Sequence, residues 1–151
     1  MKKVAVLALV TVVACSRGHC SGGEPGPFRF GASVRIDGHI FLSEVADEVD
    51  EQQVGLMHRT ELAPNGGMLF LWDDVQVRSF YMKDTLIPLD LIAIKDGRVV
   101  SVATMVPCEQ TPCVNTRTAE AEAAIEINGG RASKLGIDVG DRATFESNGC
   151  D

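Results

Sequence analysis

The chain has 151 residues, with 21 acidic and 14 basic side chains and a net charge of −7. That length fits one domain, and 45 % hydrophobic with 23 % charged residues excludes a wholly disordered chain or a polytopic membrane protein. The acidic balance argues against nucleic-acid binding, which needs clustered Lys and Arg to neutralise phosphates.

Lys2 and Lys3 precede an apolar run from Val4 to Val13. The run is too short for a permanent membrane helix, which needs about 20 residues, and reads as a secretory signal. Val12-Val13-Ala14-Cys15 resembles the lipobox of bacterial lipoproteins. That resemblance implies cleavage before Cys15, acylation (palmitate) of Cys15 and anchoring in the cell envelope. Ser16 rather than Asp after Cys15 implies outer-membrane sorting, facing the periplasm. Residues 1–14 are therefore expected to be a lipoprotein signal peptide. Residues 15–27, ending SRGHCSGGEPGP, read as a flexible tether reaching roughly 20 Å. Residues 28–151 are the expected folded body. With Cys15 lipidated, Cys20, Cys108, Cys113 and Cys150 remain, an even number in an oxidising compartment. Cys108 and Cys113 share a Pro-containing loop and can pair locally, which leaves Cys20 for Cys150. A zinc site would want two short Cys/His pairs, and only one exists.

The body reads as β. Residues 34–36, Asp37-Gly38 and residues 39–42 form a hairpin pattern, because Asp-Gly suits a tight type I′ turn. A short helix is expected from Asp50 to Met57, with acids in its first turn. Met68–Trp72 is a buried strand between Gly66-Gly67 and Asp73-Asp74, and Val77–Met82 has strand composition. Leu89–Ile94 and Arg98–Val106 flank Asp96-Gly97 as a second hairpin. Ala121–Ile127 is a strand, Ala132–Leu135 a helical turn stopped by Gly136, and Arg142–Glu146 the last strand. Many short strands with one or two short helices predict a mainly β, compact single domain, sandwich-like (jelly-roll-like) or barrel-like.

Several stretches in residues 44–146 resemble domain of unknown function 192, a family of small bacterial and archaeal proteins. They are Gly55-Leu56-Met57 with Arg59, Gly67-Met68-Leu69-Phe70, Arg78 through Asp90, Gly97-Arg98-Val99-Val100, Pro107-Cys108 with Pro112-Cys113, Glu126 through Gly130, and Gly140-Asp141-Arg142. The resemblance implies a mainly β, jelly-roll-like domain and no established reaction. Tyr81 stands where the family usually has Trp, Asp84 where it has Asn, and Val49 where it has Pro.

The densest polar constellation is Arg78, Ser79, Tyr81, Lys83, Asp84, Thr85 and Asp90, joined by Glu126 and Asn128. In a strand, alternate residues share a face. Arg78, Phe80 and Met82 would lie on one side, and Ser79, Tyr81, Lys83 and Thr85 would line a polar cleft on the other. Asp90, between Leu89 and Leu91, needs a partner if buried, and Arg78 is the expected one. Asp90 with Glu126 is a candidate acid–base pair. Asn128-Gly129-Gly130-Arg131 reads as a turn or a phosphate cradle. Met57, Met68, Met82 and Met105 offer thioethers beside His58, but each sits among aliphatic residues and reads as core. No metal or other cofactor is expected. The leading expectation is a lipid-anchored envelope binding or accessory module, monomeric or weakly oligomeric, for a small polar ligand. The alternatives are an envelope hydrolase or transferase using Asp90, Glu126 and Lys83, and a structural or protein-interaction domain.

Overall fold

The computed structural model describes residues 31–108 and 112–147. Seven strands form one sheet: β1 (Ala32–Ile36), β2 (His39–Ala46), β3 (Gly66–Phe80), β4 (Leu89–Lys95), β5 (Arg98–Met105), β6 (Thr116–Asn128) and β7 (Ala143–Ser147). Two short helices, α1 (Val49–Val54) and α2 (Arg131–Leu135), complete the domain. The mainly β expectation holds, and of its two shapes the sheet takes the barrel-like one, a curled half-barrel. Its strand order is β5-β4-β6-β3-β2-β1-β7. The parallel β2–β3 pair is joined by the crossover that carries α1.

Both Asp-Gly hairpins form. Asp37 and Gly38 have φ of 42° and 86°, and Asp96 and Gly97 have 50° and 71°. Two consecutive positive φ values are what a type I′ turn requires, and they match the twist of the flanking strands. The two stretches read as separate strands, 68–72 and 77–82, are one long strand, β3, with a register shift against β6 between Leu71 and Gln76. The polar residues Asp73 and Asp74 mark this irregularity, not a strand end.

The period of two distributes the central strands between two apolar layers. Leu69, Ile92, Ile94, Ala123, Ile125 and Ile127 face the concave core, with Val34, Ile36, Phe41 and Ala132 of α2. Met68, Phe70, Leu89, Leu91 and Ala124 face the other layer, where Leu56, Leu62 and Met82 cover them. Burial on both faces explains why β4 reads as a continuous apolar run. Met68, Met82 and Met105 are all packed in the second layer.

The sheet's outer edges meet at one end. Arg98 of β5 bridges to Arg142, beside β7. The Val99 N–H donates to the Asp141 carbonyl, and the Ala143 N–H to the Gly97 carbonyl, each at 2.9 Å. Ala32 pairs with Ser147 across β1 and β7, so the chain enters and leaves the described domain at one place. Cys15, Cys20 and Cys150 lie outside the described residues, and so do the expected signal and tether. The expected local disulfide is present: Cys108 and Cys113 are bonded, with Cα atoms 5.6 Å apart, in the β5–β6 connection.

Gly129 is fixed by a close approach. A Cβ there would lie 2.8 Å from Pro88 Cβ and 2.9 Å from its carbonyl carbon. The Gly129 N–H meanwhile donates to the Pro88 carbonyl at 2.9 Å. Gly129→Ala should therefore cost about 1–3 kcal/mol through overpacking, read as a melting temperature several degrees lower. An unchanged melt would mean that the 88–129 contact gives way freely.

Candidate functional site

β3 sends Phe70 and Trp72 to the second layer, where Phe70 is buried and Trp72 is partly covered. Their rings stack with centroids 6.2 Å apart, and Phe80, returning to that side beyond the register shift, stands edge-on to Phe70 at 5.2 Å. The Arg78 guanidinium lies 4.5 Å from the Trp72 ring centroid. Its Nη2 donates to the Asp74 carbonyl at 2.8 Å and pairs with the Asp74 carboxylate. That hydrogen bond holds the Asp74 carboxyl below the ordinary range.

α1 is attached to this wall by one side chain. Gln52 accepts from Trp72 Nε1 at 2.9 Å, and its amide donates to the carbonyls of Leu71 at 2.8 Å and Ala46 at 3.3 Å. No residue of α1 is buried, so Gln52 does much of the fastening. Gln52→Ala should cost about 1–2 kcal/mol for these bonds and shift the emission of Trp72, the sole tryptophan, as its N–H opens to water. Unchanged emission would mean that α1 is held in some other way.

Between α1 and β3 lies a cleft of about 240 Å³. Val49, Val54, Leu56 and Met57 line one side and Phe70, Trp72 and Phe80 the other, with Arg78, Ser79, Tyr81 and Thr85 at its polar border. Glu126 also lines it. This residue sits on β6 between Met68 of β3 and Leu91 of β4, its register partners. It is 5 % exposed. Among the described residues no hydrogen bond or ion pair reaches its carboxyl. Burial alone pushes its pKa up to about 8, because a low-dielectric surrounding disfavours the charged form.

Five of the nine candidate residues therefore come together: Arg78, Ser79, Tyr81, Thr85 and Glu126. The other four do not line this cleft. Lys83 was expected in it, but β3 ends at Phe80 and the chain turns away. Lys83 is on the surface, 4.0 Å from Asp84, and both side chains are exposed. Asp84 adopts φ 54°, and its carbonyl accepts from the His58 N–H at 2.7 Å. Asp and Asn both tolerate this left-handed conformation, which accounts for the Asp in place of the family's Asn. Asn128 donates to the carbonyls of Ala63 at 2.8 Å and Leu62 at 3.2 Å, and so ties down the loop before β3.

Asp90 corrects two expectations. Its partner is not Arg78, which is engaged by Asp74 and Trp72. Asp90 Oδ1 accepts from Thr104 Oγ1 at 2.7 Å and from the Gly130 N–H at 2.9 Å, and Oδ2 accepts from the Ala132 N–H at 2.8 Å. It caps the start of α2 from a neighbouring strand. It also pairs in register with Ile127, not Glu126, and so faces the opposite side of the sheet. Asp90 and Glu126 thus form no acid–base pair. The 128–131 segment is a turn, with Gly130 at φ 74°; its Gly130 N–H donates to Asp90 and its Gly129 N–H to the Pro88 carbonyl.

Sequence reasoning missed Phe70, Trp72 and Gln52 as site residues. Trp72 lies two residues from Phe70, a spacing that in a strand means one shared face, and this was the available signal. Gln52 carried none, since its partners lie 19 and 20 residues away.

A seven-stranded half-barrel with an aromatic cleft beneath a short crossover helix defines the structural class. The chain belongs to the DUF192 family, described as uncharacterized ACR, whose model matches residues 32–145. The match begins earlier than the 44–146 resemblance and takes in the β1–β2 hairpin. Among curated proteins none matches the chain. The fold is similar to that of a protein of unknown function from Novosphingobium aromaticivorans DSM 12444, with 40 % identity and a TM-score of 0.67, covering 74 % of this chain and 83 % of that one. It is also similar to a protein from Sinorhizobium meliloti 1021 provisionally described as a transcription regulator, with 28 % identity and a TM-score of 0.69, covering 80 % of this chain and 98 % of that one.

Proposed function

We propose that this protein is a binding module of the cell envelope whose cleft between α1 and β3 holds a small organic ligand. One observation carries the reading: a buried carboxyl, Glu126, lies in an aromatic-walled cleft without a partner among the described residues. A buried polar group without a partner is costly, and a ligand that hydrogen-bonds to it removes that cost. Apolar walls with a few polar groups are the usual make-up of a small-molecule site. The regulator description of the Sinorhizobium protein does not transfer readily, because a net charge of −7 opposes DNA phosphates.

The module would hang from the outer membrane by acylated Cys15. Cys15→Ser should move the protein from the membrane to the soluble fraction, and unchanged fractionation would remove the anchor from the proposal. The binding reading is tested by incubating the full chain with envelope extract and analysing what it retains by native mass spectrometry. A retained small molecule that perturbs Trp72 emission is the expected result. No retained compound and an unperturbed Trp72 would overturn it.

A further inference from the structure

We propose that the ligand carries a small organic cation, an ammonium group that meets the Glu126 carboxylate while its carbon substituents rest against the aromatic wall, and that binding releases one proton from Glu126 to solvent. This rests on the binding reading above and names the chemistry of its ligand.

Three features point the same way. The first is the unpaired acid. Glu126 is flanked in register by Met68 and Leu91, and among the described residues no ion pair reaches it. The second is the wall. Phe70, Trp72 and Phe80 present ring faces and edges within about 6 Å of one another, and aromatic faces attract organic cations. The third is that this wall already holds one: the Arg78 guanidinium rests on Trp72 at 4.5 Å. Arg78 does not neutralise Glu126, because its charge is spent on Asp74.

A neutral ligand would leave the acid protonated, and a cation would not. With a pKa of about 8 in the empty cleft, Glu126 carries its proton at neutral pH, and an incoming ammonium favours the anion and expels it. The cation's affinity should then rise about tenfold per pH unit below 8 and level off above, as linkage requires. Other groups near Glu126 do not supply this dependence. β3 contributes Arg78, which stays charged, and β4 contributes Leu91. α1 contributes the uncharged Gln52 and Gln53, and the 81–85 segment contributes Thr85 and the exposed Tyr81. Glu44 of β2 is paired with Arg59 at 2.8 Å.

The experiment titrates the full chain with choline and with its neutral carbon isostere, dimethylbutanol, reading Trp72 emission and, by calorimetry in two buffers, proton release. The expected result is at least tenfold tighter binding of choline at pH 8, weakening toward pH 6, with proton release and with the preference lost in Glu126→Gln. Equal or tighter binding of the neutral isostere would overturn the cation proposal and leave the binding reading standing. Choline binding that is unchanged by pH and by Glu126→Gln would overturn it as well. No response to either probe would overturn the cation proposal, while the binding reading would still be decided by the extract experiment.

Discussion

Glu126→Gln should stabilise the domain at pH 8, by about 3–5 kcal/mol. Burial raises the folded-state pKa from 4.5 to about 8. Below pH 4.5 both the folded and the unfolded chain carry the proton, so this group adds no pH dependence. Between 4.5 and 8 the unfolded chain releases its proton and the folded chain keeps it. Stability therefore falls as pH rises through that window, by about 1.4 kcal/mol per unit. Above 8 both states are ionised and the loss is complete. Glutamine has no proton to lose, so the variant's curve should be flat across the same window. The two proteins should unfold alike near pH 4 and diverge steadily to pH 8. Urea denaturation at three or four pH values measures this. A variant less stable than the parent at pH 8 would mean that the carboxylate has a stabilising partner, and the case for an open binding group would fall. Retaining a residue that weakens the fold is common where that residue serves function.

Asp90→Ala should do the opposite, costing about 3–5 kcal/mol, since removing one side of a buried charged network strands the other. The Gly130 and Ala132 N–H groups and the Thr104 hydroxyl would lose their acceptor. Asp90 is 1 % exposed, and water cannot readily take its place. The melting temperature should fall by many degrees, whereas exposed Lys83→Ala should stay within about 0.5 kcal/mol of the parent. An Asp90→Ala protein that melts like the parent would show that α2 needs no cap. Trp72 emission separates this effect from damage to the cleft, since Asp90 lies on the other side of the sheet.

The hairpins, the central strands and both short helices were legible because their signals are local. Asp37-Gly38 and Asp96-Gly97 fix turns, and the apolar runs fix buried strands. The burial of Asp90 was legible from Leu89 and Leu91, but its partners were not. Two of the three are backbone N–H groups 40 and 42 residues away, which leave no mark in a sequence, and the third is the Thr104 hydroxyl, brought across by the β4–β5 register. Arg78 was the natural guess among side chains, yet its partner Asp74 sits at the β3 irregularity, which read as the end of a strand. Glu126 could be suspected as an acid among isoleucines. That it faces a cleft while Asp90 faces the concave core depends on strand register, which no single segment encodes.

The pairing of β1 with β7 orders events in time. A chain made or threaded from its N-terminus can form the β1–β2 hairpin early, but β1 keeps one open edge until residues 143–147 arrive. The Arg98–Arg142 bridge waits on the same segment. Closure of the sheet thus belongs to the complete chain, and a partial one exposes a strand edge able to pair with a neighbour. Such distant pairing folds in the millisecond-to-second range, well behind helical domains of this size. That delay would suit the envelope location proposed above, because a chain threads through a membrane before it becomes compact, not after.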